Sequence, residues 1–444
     1  MPFIPHTKED TAAMLGYIGL KTLDDLFADI PADMRPKSFN LPKGLTEHEA
    51  LGRMADLAAK NAVDALSFLG AGAYDHTVPA AVDALAARGE FYTAYTPYQP
   101  EASQGTLQGI FEYQTAVCRL LDMDVANASV YDGGSAIFEA AMMAVRITGR
   151  EVILVDECVH PIYRNMLASL SASLPVSLRV IPHKQGVSDM AALAAALDDA
   201  IAAVVVQNPG FFGAVQDFSG LFAKVHAAGA KAVMLVNPVM QAVLKTPGEM
   251  GADVAVAEGQ AVGMPLAFGG PYLGMMACTR DMVRQMPGRI VGRTEDLDGK
   301  TGYVLTLQAR EQHIRRSKAT SNICSNQGLC ALRAAMHLSL LGPEGLIRTA
   351  ELSMQRAREA AAALTALPGV TLYSDAPYGY EFALRLPKAA NAVVEALTRK
   401  KILAGLPLGR WYKGLDTILL VACTEKTTPE HIHSLAAALA GELK

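Results

Sequence analysis

Short runs rich in Val, Ile and Leu alternate with helical stretches through the middle of this chain. The runs fall at Glu151–Val155, Arg179–Ile181, Ala203–Val206, Ala232–Val236 and Val254–Val256. Between them lie helix-like segments such as Met190–Ala200 and Leu221–Ala227. A strand that is apolar on both faces must be covered on both, and strands separated by helices connect most simply as parallel neighbours. The alternation therefore predicts a mostly parallel sheet held between two helical layers. With 444 residues, 51% of them hydrophobic, the chain exceeds one ordinary core and can bury a large one.

Residues 1–45 read as an N-terminal arm, with short helical pieces near Lys8–Gly16 and Leu23–Phe27 and then Pro-interrupted sequence. Such an arm packs on a partner subunit or on its own domain; the sequence leaves both open. Thr46 followed three residues later by Glu49 is a capping box, which opens a helix running to about Lys60. The large α/β domain is expected over 46–340. Gly342-Pro343 marks the next boundary. Beyond it come a long helix (Glu344 to about Leu367), strand-like runs at Val370–Tyr373, Phe382–Leu386 and Thr417–Cys423, and helices at Ala392–Lys400 and Pro429–Leu443. That makes 341–444 a small C-terminal α+β domain. A large α/β domain followed by a small α+β domain is the layout of fold-type I pyridoxal-phosphate enzymes, an analogy of fold and not of chemistry.

Bulk properties narrow the function. Net charge is −5 with no long run of one sign, which argues against nucleic acid as the main partner. The start, MPFIPHTKED, lacks a basic segment followed by an apolar one, and no apolar run approaches the ~20 residues of a membrane helix. The six cysteines (Cys118, Cys158, Cys278, Cys324, Cys330, Cys423) form no CxxC pair, so they read as reduced, buried thiols of a cytoplasmic protein with no metal site.

The segment GADVAVAEGQAVGMPLAFGGPYLG, Gly251–Gly274, has the layout of a Schiff-base loop: an apolar strand, a polar loop, then a Gly-Gly-Pro turn into the next strand. A pyridoxal enzyme places a His-Lys or Ser-Lys pair there. This chain has Gln260 and Ala261, and no lysine between Lys245 and Lys300. A second group is missing too. The strand ending at Val236 is where an acid would keep the pyridine nitrogen protonated, and Asn237 stands there. Two losses in register favour a degenerate site over a misalignment. Gly133, Gly134 and Ser135 open a helix and expose backbone amides that can cradle a phosphate, although a glycine pair is also simply a good strand-to-helix turn. The rival lysine is Lys318, in Arg315-Arg316-Ser317-Lys318, a basic segment near a cleft or a subunit contact, or a solvated charge cluster. His160, after Asp156-Glu157-Cys158-Val159, would stack on a ring, act as an acid or base, or be a hydrogen-bonded loop histidine.

The most unusual stretch is Phe91–Gly134. Tyr92, Tyr95 and Tyr98 crowd around Pro97 and Pro100, in a loop that can be neither regular helix nor central strand. They line a cleft, contact a partner, or pack on the domain with their hydroxyls in water. Ser103 is a plausible N-cap for the helix from about Thr106 to Leu121, and Gln104 has no evident local task.

Five strings carry a resemblance: FLGAGAYDHTVP (Phe68–Pro79), TAYTPYQPEASQGTLQ (Thr93–Gln108), DVANASVYDGG (Asp124–Gly134), REQHIRRSKATSNIC (Arg310–Cys324) and ACTEKTT (Ala422–Thr428). Over nearly its whole length the chain resembles the alpha-type half of the split P-protein, the glycine-decarboxylating component of the glycine cleavage system. The resemblance implies that pyridoxal phosphate is held by a homologous beta-type subunit, in a probable α2β2 assembly. The reaction it implies is decarboxylation of glycine with transfer of the aminomethyl group to the lipoyl arm of the H-protein. Tyr95, Tyr98, Ser103 and Gln104, with the Gly269-Gly270 turn, are then expected to reach into the partner's active site. The alternatives are a self-sufficient desulfurase- or aminotransferase-like enzyme using Lys318, and a non-catalytic structural partner.

Overall fold

The computed structural model describes residues 5–267 and 269–444. The chain divides into two compact units, residues 1–63 and 64–444.

In the first unit, helix α1 (Lys8–Tyr17) and helix α2 (Glu47–Ala58) flank two single 3₁₀ turns. The expected box at Thr46 is present: its backbone N–H donates to Glu49 Oε2 at 2.8 Å and its Oγ1 accepts from Glu49 N–H at 3.4 Å. Thr7 with Asp10 and Thr22 with Asp25 repeat the device. Leu15 is the one buried hydrophobic residue among the described positions of this unit, while Tyr17, Met34, Phe39 and Leu41 are exposed.

In the second unit, helix α3 (Gln104–Leu121) leads through strand β1 (Val125–Ala126) to helix α4 (Gly133–Thr148). Then follow β2 (Val152–Asp156), helix α5 (Pro161–Ser171), β3 (Ser177–Ile181), β4 (Ile201–Asn208), β5 (Lys231–Val236), β6 (Val254–Glu258) and β7 (Gly274–Cys278). These seven strands form one sheet in the order β1-β7-β6-β5-β4-β2-β3. Strands β2 to β6 are mutually parallel, whereas β7 runs antiparallel to β6 and β1. The five expected strands are all present, each within two residues of its expected ends.

Alternation along the strands shows why both sheet faces are apolar. Val204, Val206, Met234 and Ala255 join one core with Tyr113, Val117 and Leu121 of α3. Ala203, Val205, Val233 and Val256 join a second core with α4. Helix α4 offers Ala136, Ala140, Ala141 and Ala144, all fully buried, and so lies close on the sheet. The edge strand β3 departs from the expectation of double burial, since Ser177, Arg179 and Val180 are exposed.

A hairpin of β8 (Ile290–Glu295) and β9 (Thr301–Thr306) follows, and then helix α6 (Gly328–Thr365). The boundary expected at Gly342-Pro343 lies inside α6 as a break: Gly342 has φ 62°, ψ −177°, and the helix resumes at once. Glycine takes the positive φ and proline supplies no N–H to the preceding turn. Four later strands, β10 (Thr371–Leu372), β11 (Glu381–Arg385), β12 (Leu406–Pro407) and β13 (Ile418–Ala422), form an antiparallel sheet in the order β10-β11-β13-β12, and Leu66–Ser67 pairs in parallel with Ile402–Leu403. Among the described residues no helix is long and apolar enough to cross a membrane.

Candidate active-site crevice

Open parallel sheets bind ligands beyond the carboxyl ends of their strands. Here the ends of β5 and β6 deliver Asn237 and Glu258 to one crevice, and α4 points its N-terminus at it. The crevice also gathers His160, Tyr163, Tyr380 and Glu381.

Gln260 and Ala261 stand where a His-Lys pair was expected; Ala261 is buried and carries no amine, and the Gln260 amide is fully used. Oε1 accepts from Tyr74 N–H at 2.9 Å, while Nε2 donates to Tyr74 O at 3.1 Å and Met264 O at 2.9 Å. The side chain thus copies a strand partner for the Ala71–Tyr74 segment that crosses the crevice, and it is 1% exposed. Asn237 is equally committed. Its Oδ1 accepts from Val239 N–H at 3.1 Å and its Nδ2 donates to the Tyr380 hydroxyl.

The N-terminus of α4 already holds an anion of the chain's own. Glu258 Oε2 accepts from Gly133 N–H at 2.9 Å, and Oε1 accepts from Gln260 N–H at 3.0 Å and Leu273 N–H at 3.1 Å. Asp132 caps the same helix by accepting from Ser135 N–H at 2.7 Å. A carboxylate at a helix N-terminus is favoured by the dipole in the way a phosphate would be. The amides of Gly133 and Ser135, expected to cradle a phosphate, are therefore both taken. Burial pushes the Glu258 carboxyl up to about 7 against its three backbone donors. Burial likewise pushes Glu381 to about 7, where it accepts from Ala71 N–H at 2.6 Å and from the Tyr74 hydroxyl at 2.8 Å.

His160 is a neutral structural ring. One nitrogen, Nε2, faces Ala71 O at 2.7 Å and the other, Nδ1, accepts from Ile162 N–H at 3.2 Å, which caps α5. Burial lowers its pKa to about 4, and it stacks on Tyr163 at 4.5 Å. The hydrogen-bonded reading of this histidine holds.

Pyridoxal phosphate needs a lysine, an acid at its ring nitrogen and free amides for its phosphate. Here Asn237 lines the crevice, Gln260 and Ala261 lie buried behind Tyr74, and the Gly133 and Ser135 amides are bonded to Glu258 and Asp132. Its free volume is about 50 Å³, against roughly 300 Å³ and upward for small-molecule sites. The residues present do not fit the cofactor. Lys318 does not supply the missing amine: it lines a separate basic recess that shares no residue with the crevice.

The tyrosine loop folds onto the segment after β9. Tyr95, 82% exposed, has its hydroxyl 3.2 Å from Ser325 Oγ. The Tyr98 hydroxyl accepts from Arg289 at 3.1 Å, and its ring meets the Arg289 guanidinium and His313. Ser103 sits at the N-cap position of α3 but makes no capping bond, because its ψ of 22° turns it away from the extended geometry a cap uses. Gln104 does have a local task. Its Oε1 accepts from Tyr303 N–H and its Nε2 donates to Tyr303 O, both at 2.9 Å, so it pairs with the edge of β9. At the glycine turn, a Cβ on Gly269 would meet nothing within 4 Å.

Tyr74, Glu258, Tyr380 and Glu381 were not singled out from sequence. Glu258 carried a signal, as a lone acid ending an apolar strand. Tyr74 lies in one of the quoted strings. That string and ACTEKTT meet in the fold: His76 Nδ1 lies 2.7 Å from Glu425 and Lys426 Nζ 2.6 Å from Asp75.

The fold is that of fold-type I pyridoxal-phosphate-dependent enzymes, with the crevice at the usual strand ends. Glutamate decarboxylase of Lactobacillus brevis shares the fold at 14% identity (TM-score 0.67, covering 92% of this chain and 94% of that one). Residues 1–439 match the family described as glycine cleavage system P-protein, and the chain belongs to that family. A protein of Nitratidesulfovibrio vulgaris named "Probable glycine dehydrogenase (decarboxylating) subunit 1" is 66% identical over the full length of both chains. Its namesake in Oleidesulfovibrio alaskensis is 63% identical, also over the full length of both. A crystal structure titled glycine decarboxylase (P-protein) of the glycine cleavage system, in inhibitor-bound form, superimposes with TM-score 0.94 at 43% identity. The match covers 99% of this chain and all of that one.

Proposed function

We propose that this chain is the lysine-free subunit of a glycine-decarboxylating dehydrogenase, active only when paired with a homologous subunit that holds pyridoxal phosphate. The observation that carries this reading is the self-filled crevice: Gln260 and Ala261 stand in place of a His-Lys pair, Asn237 in place of the ring-nitrogen acid, and Glu258 on an amide of the phosphate cradle. The family and the words "subunit 1" in the names of its relatives support the pairing.

In the assembled enzyme, an α2β2 tetramer, glycine is decarboxylated at the partner's cofactor and the aminomethyl group passes to the lipoyl arm of the H-protein. This chain completes the walls. Tyr95, Tyr98, Ser103, Gln104, Gly269 and Gly270 face the partner's site, and the exposure of Tyr95 and of the glycine turn supports that role. Six unpaired cysteines support the cytoplasm as its compartment.

The test is reconstitution. Purified alone with pyridoxal phosphate, the chain is expected to show no lysine-linked visible absorbance and no exchange of the glycine carboxyl with bicarbonate. Adding the homologous subunit restores exchange, and Tyr95→Phe with Tyr98→Phe lowers its rate. A chain that turns yellow and decarboxylates glycine unaided overturns the proposal.

A further inference from the structure

The segment after β9 folds back beside the C-terminal end of α4 and closes a recess of about 430 Å³. Five cations line it (Arg146, Arg284, Arg310, Arg315 and Lys318), and no Asp or Glu does. Among the described residues, none of these five lies within ion-pair distance of a carboxylate. Two acids stand nearby, Glu311 and Glu139. Glu311 faces Arg289 at 3.5 Å and His313 at 3.6 Å, and Glu139 accepts from the Ser321 hydroxyl at 2.6 Å.

Three of the guanidinium groups are held by backbone carbonyls. Arg310 donates through Nε to Leu307 O and through Nη2 to Gly288 O, each at 3.0 Å. Arg146 donates to Gln285 O at 3.2 Å and Arg315 to Ala309 O at 3.1 Å. Yet Arg310, only 9% exposed, keeps its Nη1 buried with no hydrogen-bond partner, and Arg146 keeps its Nε so. A buried charged donor left without a hydrogen bond is costly, and five cations beside only two nearby acids, Glu139 and Glu311, repel one another. The cationic tips of Arg284, Arg315 and Lys318 line the recess, have no carboxylate partner among the described residues, and match the oxygens of a tetrahedral dianion.

We propose that this recess binds a phosphate group, free or as the monoester of a small molecule, with Arg310 and Arg146 at its floor and Arg315 and Lys318 at its mouth. The site is distinct from the crevice and independent of the catalytic reading. A recess of this volume takes a small ligand and not merely one ion, so the monoester is the preferred source.

The experiment is calorimetric titration of the full-length chain with inorganic phosphate and, separately, glycerol 3-phosphate, against sodium chloride at matched ionic strength. Saturable binding of at least one phosphate probe, absent with chloride, is expected. Tighter binding of glycerol 3-phosphate assigns the ester, and tighter binding of inorganic phosphate assigns the free ion. The double variant Arg315→Gln, Lys318→Gln changes two exposed residues. It should weaken binding by about tenfold or more, as loss of charge-assisted bonds requires, with an unchanged thermal midpoint. Arg310→Gln should abolish binding; if it fails to fold, the double variant alone decides. No saturable binding of either probe, or binding that the double variant leaves intact, overturns the proposal.

Discussion

Replacing Gln260 tests whether the crevice is held shut by hydrogen bonds. Gln260→Ala removes three of them, one accepted from Tyr74 N–H and two donated to Tyr74 O and Met264 O. Each contributes about 1 kcal/mol net, and a buried group left without a partner adds a further cost of about 1 kcal/mol or more. The expected loss is therefore about 3–5 kcal/mol. Gln260→Met separates the contributions, because it restores most of the volume and none of the bonds. If the bonds dominate, Met loses nearly as much as Ala. The assay is urea unfolding, followed by the fluorescence of the single tryptophan, Trp411, and by circular dichroism. With a slope of about 3 kcal/mol per molar, the midpoint should fall by roughly 1 M or more for both variants. A loss below about 1 kcal/mol in the Met variant would refute the argument and leave Gln260 as mere filling.

Two further outcomes follow from other residues of the structure. Glu258 has a folded pKa of about 7 against an ordinary value of 4.5. Between those values the folded state binds more protons than the unfolded chain, so stability falls as pH rises through that window, by up to about 3 kcal/mol. Glu258→Gln should flatten this slope, gaining on the parent protein between pH 5 and pH 8; urea midpoints that move in parallel would count against the assignment. Gln104→Ala should free the edge of β9 at a cost near 1 kcal/mol, read as faster amide exchange in Thr301–Thr306, and unchanged exchange there would remove the edge-pairing role.

The sheet was legible because its strands are apolar on both faces, a pattern that helices on a surface do not produce. β3 was found but its burial was misjudged, since β-branched residues such as Val180 suit an exposed edge as well as a centre. The absence of a lysine and of an acid was legible at Gln260-Ala261 and Asn237, because position alone carries it: one side chain at a strand end is what a cofactor would meet there. Gly342-Pro343 reads in sequence as a break, and the structure has a kink there between two helices, because Gly342 takes a non-helical φ of 62° and ψ of −177°. Gln104 was opaque for a different reason. Its partner is a backbone unit 199 residues away, and no local pattern announces a side chain that stands in for a strand.

Glu258 shows what such readings miss. Gly133-Gly134 before a helix advertises amide donors, and the advertisement is sound, because those donors are used. What it does not announce is whose anion they bind. An external phosphate must be drawn from solution and arrives with its own hydration; a carboxylate on the adjoining strand is present at effectively high concentration and is lost only by unfolding. Once Glu258 projects from the end of β6, the Gly133 amide is satisfied internally and an incoming phosphate meets a carboxyl in its seat. The glycines then persist for a second reason. A Cβ on Gly133 would lie 3.0 Å from Glu258 Cβ, and one on Gly134 2.5 Å from Met166 Sδ. Gly133 thus makes room for the plug, and Gly134 for Met166 and Tyr163.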